Sequence, residues 1–269
     1  MPPSAKLRIG PFALAGGALL AAMALVALSA PIACPAGPLA RVAPALLAPS
    51  PGAWAGADDI GRSVSCLTLF GLRTSLLIGV ASGALALALG IFIGVVAGVA
   101  GGWTDLLLMR LTEVMLSIPR LFLAILVAAL FEPGITGLVL VLGVTSCGML
   151  ARVARAEAMT LMSREFIMAA RALGLSTPRL IFRHVLPNLN RPLLATAGPT
   201  IAGAILAEAA LSYVGLGDPG AVSLGRSIAN AYPFMELAWW MSAAPIAALV
   251  LITMSCLLLA EACADPRSL

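Results

Sequence analysis

Thr74 to Thr104 reads TSLLIGVASGALALALGIFIGVVAGVAGGWT and contains no charged side chain. About 20 apolar residues rising 1.5 Å each cross a hydrocarbon core ~30 Å thick, so this segment is long enough to span a bilayer as a helix. Its glycines keep register: Gly79 and Gly83, then Gly90, Gly94, Gly98 and Gly102, return every fourth residue. Positions four apart share a helix face, which leaves a bare stripe for another helix to approach. Apolar side chains gain little by clustering in lipid, so close backbone contact supplies the packing instead.

The whole chain has the same character. Of 269 residues 61% are hydrophobic and 10% charged, with mean hydropathy +1.05, against roughly 25% charged in a soluble domain. So few charges cannot coat a water-soluble surface, which excludes a soluble enzyme or a nucleic-acid-binding protein. The net charge of +4 does not reopen those classes, because seven arginines crowd between Arg152 and Arg191, as in a cytoplasmic loop under the positive-inside rule. The only lysine, Lys6, lacks the glycines of a phosphate-binding loop, so no ATPase site is expected in this chain. The five cysteines form no CxxC pair. Three lie in apolar segments, where a thiol acts as a small hydrophobe, so neither a structural disulfide nor a metal site is expected.

Outward from Thr74–Thr104, five more spans are predicted. Pro11 to Ile32 lies between Arg8 and Arg41 without a charge and is too long for the apolar stretch of a cleaved signal, which favours an anchor. Residues 35–63, with Pro35, Asp58, Asp59 and Arg62, read as an outside loop leading to a short amphipathic entry over Val64 to Arg73. The third span covers Asp105 to Leu130, and a turn at Glu132-Pro133-Gly134 leads to the fourth, Ile135 to Leu150. Leu193 to Leu216 is the fifth and stops at Gly217-Asp218-Pro219-Gly220; Met241 to Leu259 is the sixth, leaving a tail from Glu261. With both termini inside, Lys6, Arg8, Arg110, Arg120, the seven loop arginines and Arg267 lie at the inner side, against Arg41, Arg62, Arg73 and Arg226 outside.

Polar residues within the spans are candidate functional groups. Arg110, Glu113, Ser117 and Arg120 fall within an arc of roughly 80° on one helix, and a charge at mid-membrane costs about 2.5–3.5 kcal/mol, so they should face protein or water. Arg110 and Glu113 either pair at i,i+3 or snorkel at the interface. Glu208 is a buried acid, read as hydrogen-bonded to a neighbouring helix.

Arg152 to Arg191 reads RVARAEAMTLMSREFIMAARALGLSTPRLIFRHVLPNLNR. Two short helices are predicted: Glu165 to Leu173, stopped by Gly174, then one capped by Thr177 with Pro178 at its first position and ending near Leu186-Pro187-Asn188. Phe166, Ala169, Ala170 and Leu173 make an apolar face on the first helix. Such a face suits docking in a partner's groove or lying on anionic lipid headgroups.

Ala169-Ala170-xxx-Gly174, followed by His184-Val185-Leu186-Pro187, resembles the EAA motif of permease subunits of binding-protein-dependent ABC importers. The wording Glu165 to Gly174 and Arg183 to Asn188 is similar to the second, C-type permease of the dipeptide/oligopeptide/nickel group. Supporting similarities are GADDIGR at Gly56 to Arg62, AGGWTDLLLMR at Ala100 to Arg110, ILAEAALSYVGLG at Ile205 to Gly217 and the terminal Asp265-Pro266-Arg267. Met168 stands where the motif name has Glu and His184 where it has Ile, as is usual in the peptide-permease branch; His184, the only histidine, reads as a packed loop residue.

The resemblance implies an all-α membrane protein with six transmembrane helices in the MetI-like type I importer permease fold, both termini cytoplasmic. Its divisions are an N-terminal anchor and outer loop (1–69), a permease domain (70–263) containing the coupling loop (152–191), and a tail (264–269). It implies a non-enzymatic subunit in the inner membrane of a bacterium or archaeon, binding no cofactor itself, since ATP and Mg would sit on partner ATPases. The implied partners are a homologous second permease, two cytoplasmic ATPase subunits, an extracytoplasmic solute-binding protein and lipid, with no nucleic acid. Glu165, Phe166, Ala169, Ala170, Gly174, Leu186 and Pro187 would couple to the ATPase, and Gly174→Asp or Ala170→Arg is expected to abolish transport without blocking insertion. The competing reading is an ATPase-independent secondary transporter using Glu113, Arg120 and Glu208 as an ion relay.

Overall fold

The computed structural model describes residues 11–131 and 134–264. Lys6, Arg8, Glu132, Pro133 and the stretch 265–269, including Asp265-Pro266-Arg267, lie outside the described residues, and with them the charges expected to set the N-terminal and tail orientation. The long helices are α1 (Pro11–Ala33), α2 (Val64–Ala100), α3 (Gly102–Ser117), α4 (Arg120–Phe131) and α5 (Ile135–Met162). Then come the short α6 (Glu165–Ala172), α7 (Thr177–Leu180) and α8 (Leu186–Asn188), followed by α9 (Asn190–Tyr213), α10 (Leu224–Ala231) and α11 (Trp240–Ala264). Among the described residues, five helices are long and apolar enough to cross a membrane, and the bent pair α3–α4 makes a sixth. The bundle has two ends: a cap end, with residues 34–63 and 214–239, and a loop end, with residues 163–189.

The glycine stripe of α2 sets the packing, and it serves two neighbours rather than one. Gly79 and Gly83 lie against Ile205 and Ile201 of α9, whereas Gly90, Gly94 and Gly98 lie against Leu150, Ala151, Ala154 and Ala158 of α5. The α2 helix also begins earlier than predicted, because nothing between Val64 and Thr74 breaks it. Ser63 caps it by accepting from the Cys66 N–H at 3.4 Å, and the expected amphipathic entry is its first turns. At 37 residues the helix is about 55 Å long, well beyond a hydrocarbon core of ~30 Å.

The third span is not one straight helix. Ile118 is extended (φ −90°, ψ 128°), since the ring of Pro119 disfavours helix in the residue before it, and α3 and α4 meet at 83°. The α4 side chains Ala124 and Ala128 pack with Ile78, Leu138, Leu142 and Leu211. The helix α1 lies against α11 and α2 through Met23 and Ala27, in a cluster with Leu72, Ile205, Ile252 and Cys256.

The cap end is built around the GADDIGR segment. Asp58 is 2% exposed; its carboxylate accepts from the N–H groups of Ile60 (3.1 Å) and Arg62 (2.7 Å) and from Arg62 Nε (2.5 Å). Gly56 has φ +69°, a left-handed conformation, and a side chain there would strike the Trp240 indole, whose Nε1 donates to Ala57 O at 3.3 Å. Contrary to the reading of the cysteines, Cys34 and Cys66 form a disulfide. Neither lies in a recognisable cysteine motif; they meet because the loop returns the chain from the end of α1 to the first turn of α2.

Candidate functional site

At the loop end α5 runs on past its predicted end at Leu150 to Met162, because 151–162 is rich in alanine and other good helix formers. Arg152 and Arg155 are therefore helical, and the loop begins only at Ser163. Arg155 makes a two-pronged ion pair with Asp105, in the first turn of α3: Nε donates to Oδ1 and Nη2 to Oδ2, the latter at 2.6 Å. Bidentate guanidinium–carboxylate pairs fix geometry as well as adding energy. This pair ties the stem of the loop to the bent helix. Both side chains are partly exposed (32% and 18%), so the pair is worth about 1 kcal/mol. Arg155→Ala is expected to lower the melting temperature of the purified protein by roughly 2–4 °C, with most of it recovered in the exchanged double variant Asp105→Arg/Arg155→Asp.

The loop itself folds as two short helices. After α6 the chain turns through Gly174 at φ +79°. The N–H of Leu175 donates to Ala170 O (3.2 Å) and that of Gly174 to Arg171 O (2.9 Å), the paired bonds of a Schellman ending. Ser176 is at the N-cap position of the second helix, one residue before the predicted Thr177 and without a side-chain capping bond, and Pro178 is at the helix's second position. The helix ends at Asn188, within the predicted Leu186-Pro187-Asn188 stop. Residues Ile181–Val185 form a π-turn in which Leu186 N–H donates to Ile181 O; this wider turn brings the helix to Pro187, which has no N–H to place, and it continues through Asn188.

The expected four-residue face of α6 is divided. Ala170 (8% exposed) turns inward with Ile167 (0%), against Leu180, Val185, Leu189 and the α5 residues Ala154 and Ala158. Phe166, Ala169 and Leu173 face outward, as do Glu165, Gly174 and Pro187, while Leu186 is half-buried. Leu173 is 82% exposed and Phe182, on the second helix, 73%. The His184 ring lies 6.3 Å from that of Phe166. Ile167 was missed by the sequence reading; its spacing of three from Ala170 is the signal that pairs them. The result is an exposed apolar tip held by an inner apolar row.

The intramembrane polar residues do not form one group. Arg110 Nη1 donates to Glu113 Oε2 at 2.9 Å, and Ser117 Oγ donates to Glu113 O at 2.8 Å, all on the exposed side of α3. Arg110 and Glu113 also line an open groove of about 690 Å³ with Asp105, Arg152 and Arg155. Arg120 lies beyond the bend and points elsewhere, donating to Gly203 O (2.8 Å) and Ser146 Oγ (3.4 Å). The predicted single polar arc is thus broken at Pro119, and Arg120 sits between α4, α5 and α9.

Glu208 is 1% exposed. It accepts from Ser75 of α2 and Ser212 of α9, both at 2.7 Å. Among the described residues no hydrogen bond or ion pair joins Glu113, Arg120 and Glu208, so an ion relay through them has no continuity. Glu208→Gln keeps a polar group for the serines and is expected to leave the melting temperature near wild type. Glu208→Ala strands buried hydroxyls at about 1–3 kcal/mol, and a thermal-unfolding comparison of the two variants checks this order.

Residues 90–265 match the family described as "Binding-protein-dependent transport system inner membrane component". The chain is 34% identical over 193 residues to the oligopeptide transport system permease protein OppC of Bacillus subtilis, covering 71% of this chain and 63% of that protein. It is 37% identical over 191 residues to the di/tripeptide transport system permease protein DppC of Pseudomonas aeruginosa, again with 71% and 63% covered. The dipeptide transport system permease protein DppC of Alkalihalophilus pseudofirmus is 31% identical over 238 residues, 87% of this chain and 78% of that one. The chain thus spans less than two thirds of the first two relatives. The fold is similar to that of a chain in inward-facing structures of the MetNI methionine ABC transporter, with a TM-score of 0.57 at 19% identity, covering 70% of this chain and 91% of that chain. The match over residues 90–265 covers more than half of the chain and the relatives agree with it: the chain belongs to the family of binding-protein-dependent transport system inner membrane components.

Proposed function

We propose that this chain is one membrane-spanning subunit of an ATP-driven importer for peptides or a related small solute, seated in the inner membrane with its loop end in the cytoplasm. It pairs with a homologous permease, and the solute path runs between the two. Two ATPase subunits bind ATP and Mg, and an extracytoplasmic binding protein delivers the solute. The observation that carries this reading is the α6 tip. Phe166, Ala169 and Leu173 are exposed on a helix whose inner side, Ile167 and Ala170, packs on the end of α5, which is a geometry for passing motion from a cytoplasmic partner into the spans. Differential contacts with ATPases in their open and closed states would then shift the membrane helices between two arrangements. The peptide reading follows the relatives above, which are oligopeptide, di/tripeptide and dipeptide transport system permease proteins.

The test is reconstitution of this chain with its permease, ATPase and binding-protein partners in liposomes. Peptide uptake should require ATP and all the subunits. Uptake by this chain alone, without ATPases, contradicts the proposal.

A further inference from the structure

We propose that Cys34 and Cys66 are an oxidative modification site, closed by an extracytoplasmic thiol oxidase, and that the bond staples α1 to the bundle and fixes the cap end on the outer side of the membrane. Cys34 follows the last residue of α1 and is 7% exposed, and Cys66 is in the first turn of α2, its N–H held by Ser63 Oγ. The bond closes 32 residues of sequence, the segment that carries the buried Asp58 and its hydrogen bonds. Disulfides form and persist in oxidising compartments and are rare in the cytosol, so a disulfide at this end assigns its compartment by chemistry independent of arginine counting.

The staple has a mechanical reason. Helix α1 leaves Leu25, Leu28 and Ile32 at 68%, 67% and 85% exposure and meets the bundle along one face only, through Gly16, Met23, Ala27 and Ala30. The covalent bond continues that face beyond the last residue of α1 and adds a fixed point where the helix ends. The two thiols lose two protons and two electrons and form one S–S bond. The electrons pass through a mixed disulfide to a protein disulfide of the oxidase, which leaves as a dithiol. Cys147 and Cys256, buried in α5 and α11, remain thiols. The proposal holds whatever the solute is.

The experiment uses the full chain carrying Cys263→Ser in bacterial membranes. Free thiols are blocked with N-ethylmaleimide in denaturant, the sample is reduced, and new thiols are tagged with a polymer-linked maleimide that shifts the band. Two tags are expected after reduction and none in Cys34→Ser or Cys66→Ser. Both should also be lost when the chain is made in cells lacking the extracytoplasmic oxidase. A chain from oxidase-competent cells that takes no tag after reduction overturns the proposal, as does full tagging in cells lacking the oxidase.

Discussion

Ala169→Arg and Leu173→Arg are expected to reach the membrane at wild-type level and yet to lose ATP-driven uptake by about a hundredfold. Both side chains are exposed and make no part of the chain's own core, so arginine there has little to disturb in the isolated protein. In a docked complex it would place an unpaired charge in an apolar contact, a penalty of roughly 3 kcal/mol or about two factors of ten. Immunoblotting of membranes together with uptake assays separates the two effects. Ala170→Arg does not separate them, because Ala170 belongs to the inner row with Ile167, Leu180 and Val185, and the charge would first break the fold of the loop. Gly174→Asp leaves the chain's own packing intact, since a Cβ there meets nothing within 4 Å and the left-handed backbone costs a non-glycine residue about 1–2 kcal/mol, less for Asp, so its expected loss of transport also falls on the docked contact.

The second large effect lies in the α2 stripe. A Cβ at Gly94 would strike the backbone oxygen of Ala151 and lie 2.6 Å from Ala154 Cβ and 2.8 Å from Arg155 N. Those atoms belong to a helix and cannot step aside. At Gly79 the obstacle is Cγ1 of Ile205, a fully buried β-branched side chain with little rotamer freedom in a helix, so both halves of the stripe are tight; at Gly17 of α1 the nearest atom is Leu259 Cδ2 at 3.8 Å, an ordinary contact. Overpacking costs about 1–3 kcal/mol, while exchanging glycine for alanine in a helix returns roughly 1 kcal/mol. Gly94→Ala should therefore destabilise by about 2 kcal/mol, whereas Gly17→Ala should cause no loss. Thermal aggregation of the detergent-solubilised variants measures the order, and equal losses at the two sites would contradict the close approach of α5 to the stripe.

Much of the bundle was legible in charge-free length alone: the expected spans 11–32, 193–216 and 241–259 lie on Pro11–Ala33, Asn190–Tyr213 and Trp240–Ala264. What failed were boundaries where hydropathy and helicity part company. Polar residues at Arg73 and Arg152 suggested ends to spans, but helices α2 and α5 continue through them because neither site contains a breaker. The reverse error occurred at Ile118-Pro119, where apolar continuity hid a bend that the proline signalled. In the loop, Gly174 marked the end of α6 correctly, since only backbone geometry was at stake. The division of its face between Ile167/Ala170 and Phe166/Ala169/Leu173 depends on how α6 sits against α5, which helix periodicity alone does not determine. The Cys34–Cys66 bond likewise needed the returning path of residues 35–63.

The most direct test introduces Ala169→Cys into a chain carrying Cys147→Ser, Cys256→Ser and Cys263→Ser, with the Cys34–Cys66 pair kept, and applies a short thiol cross-linker to native membranes containing the ATPase subunits. An adduct with an ATPase subunit, together with protection of the introduced thiol from an impermeant maleimide added outside intact cells, is the predicted result. Labelling from the outside, or no ATPase adduct at a position that is freely alkylated from the cytoplasmic side, would contradict the account.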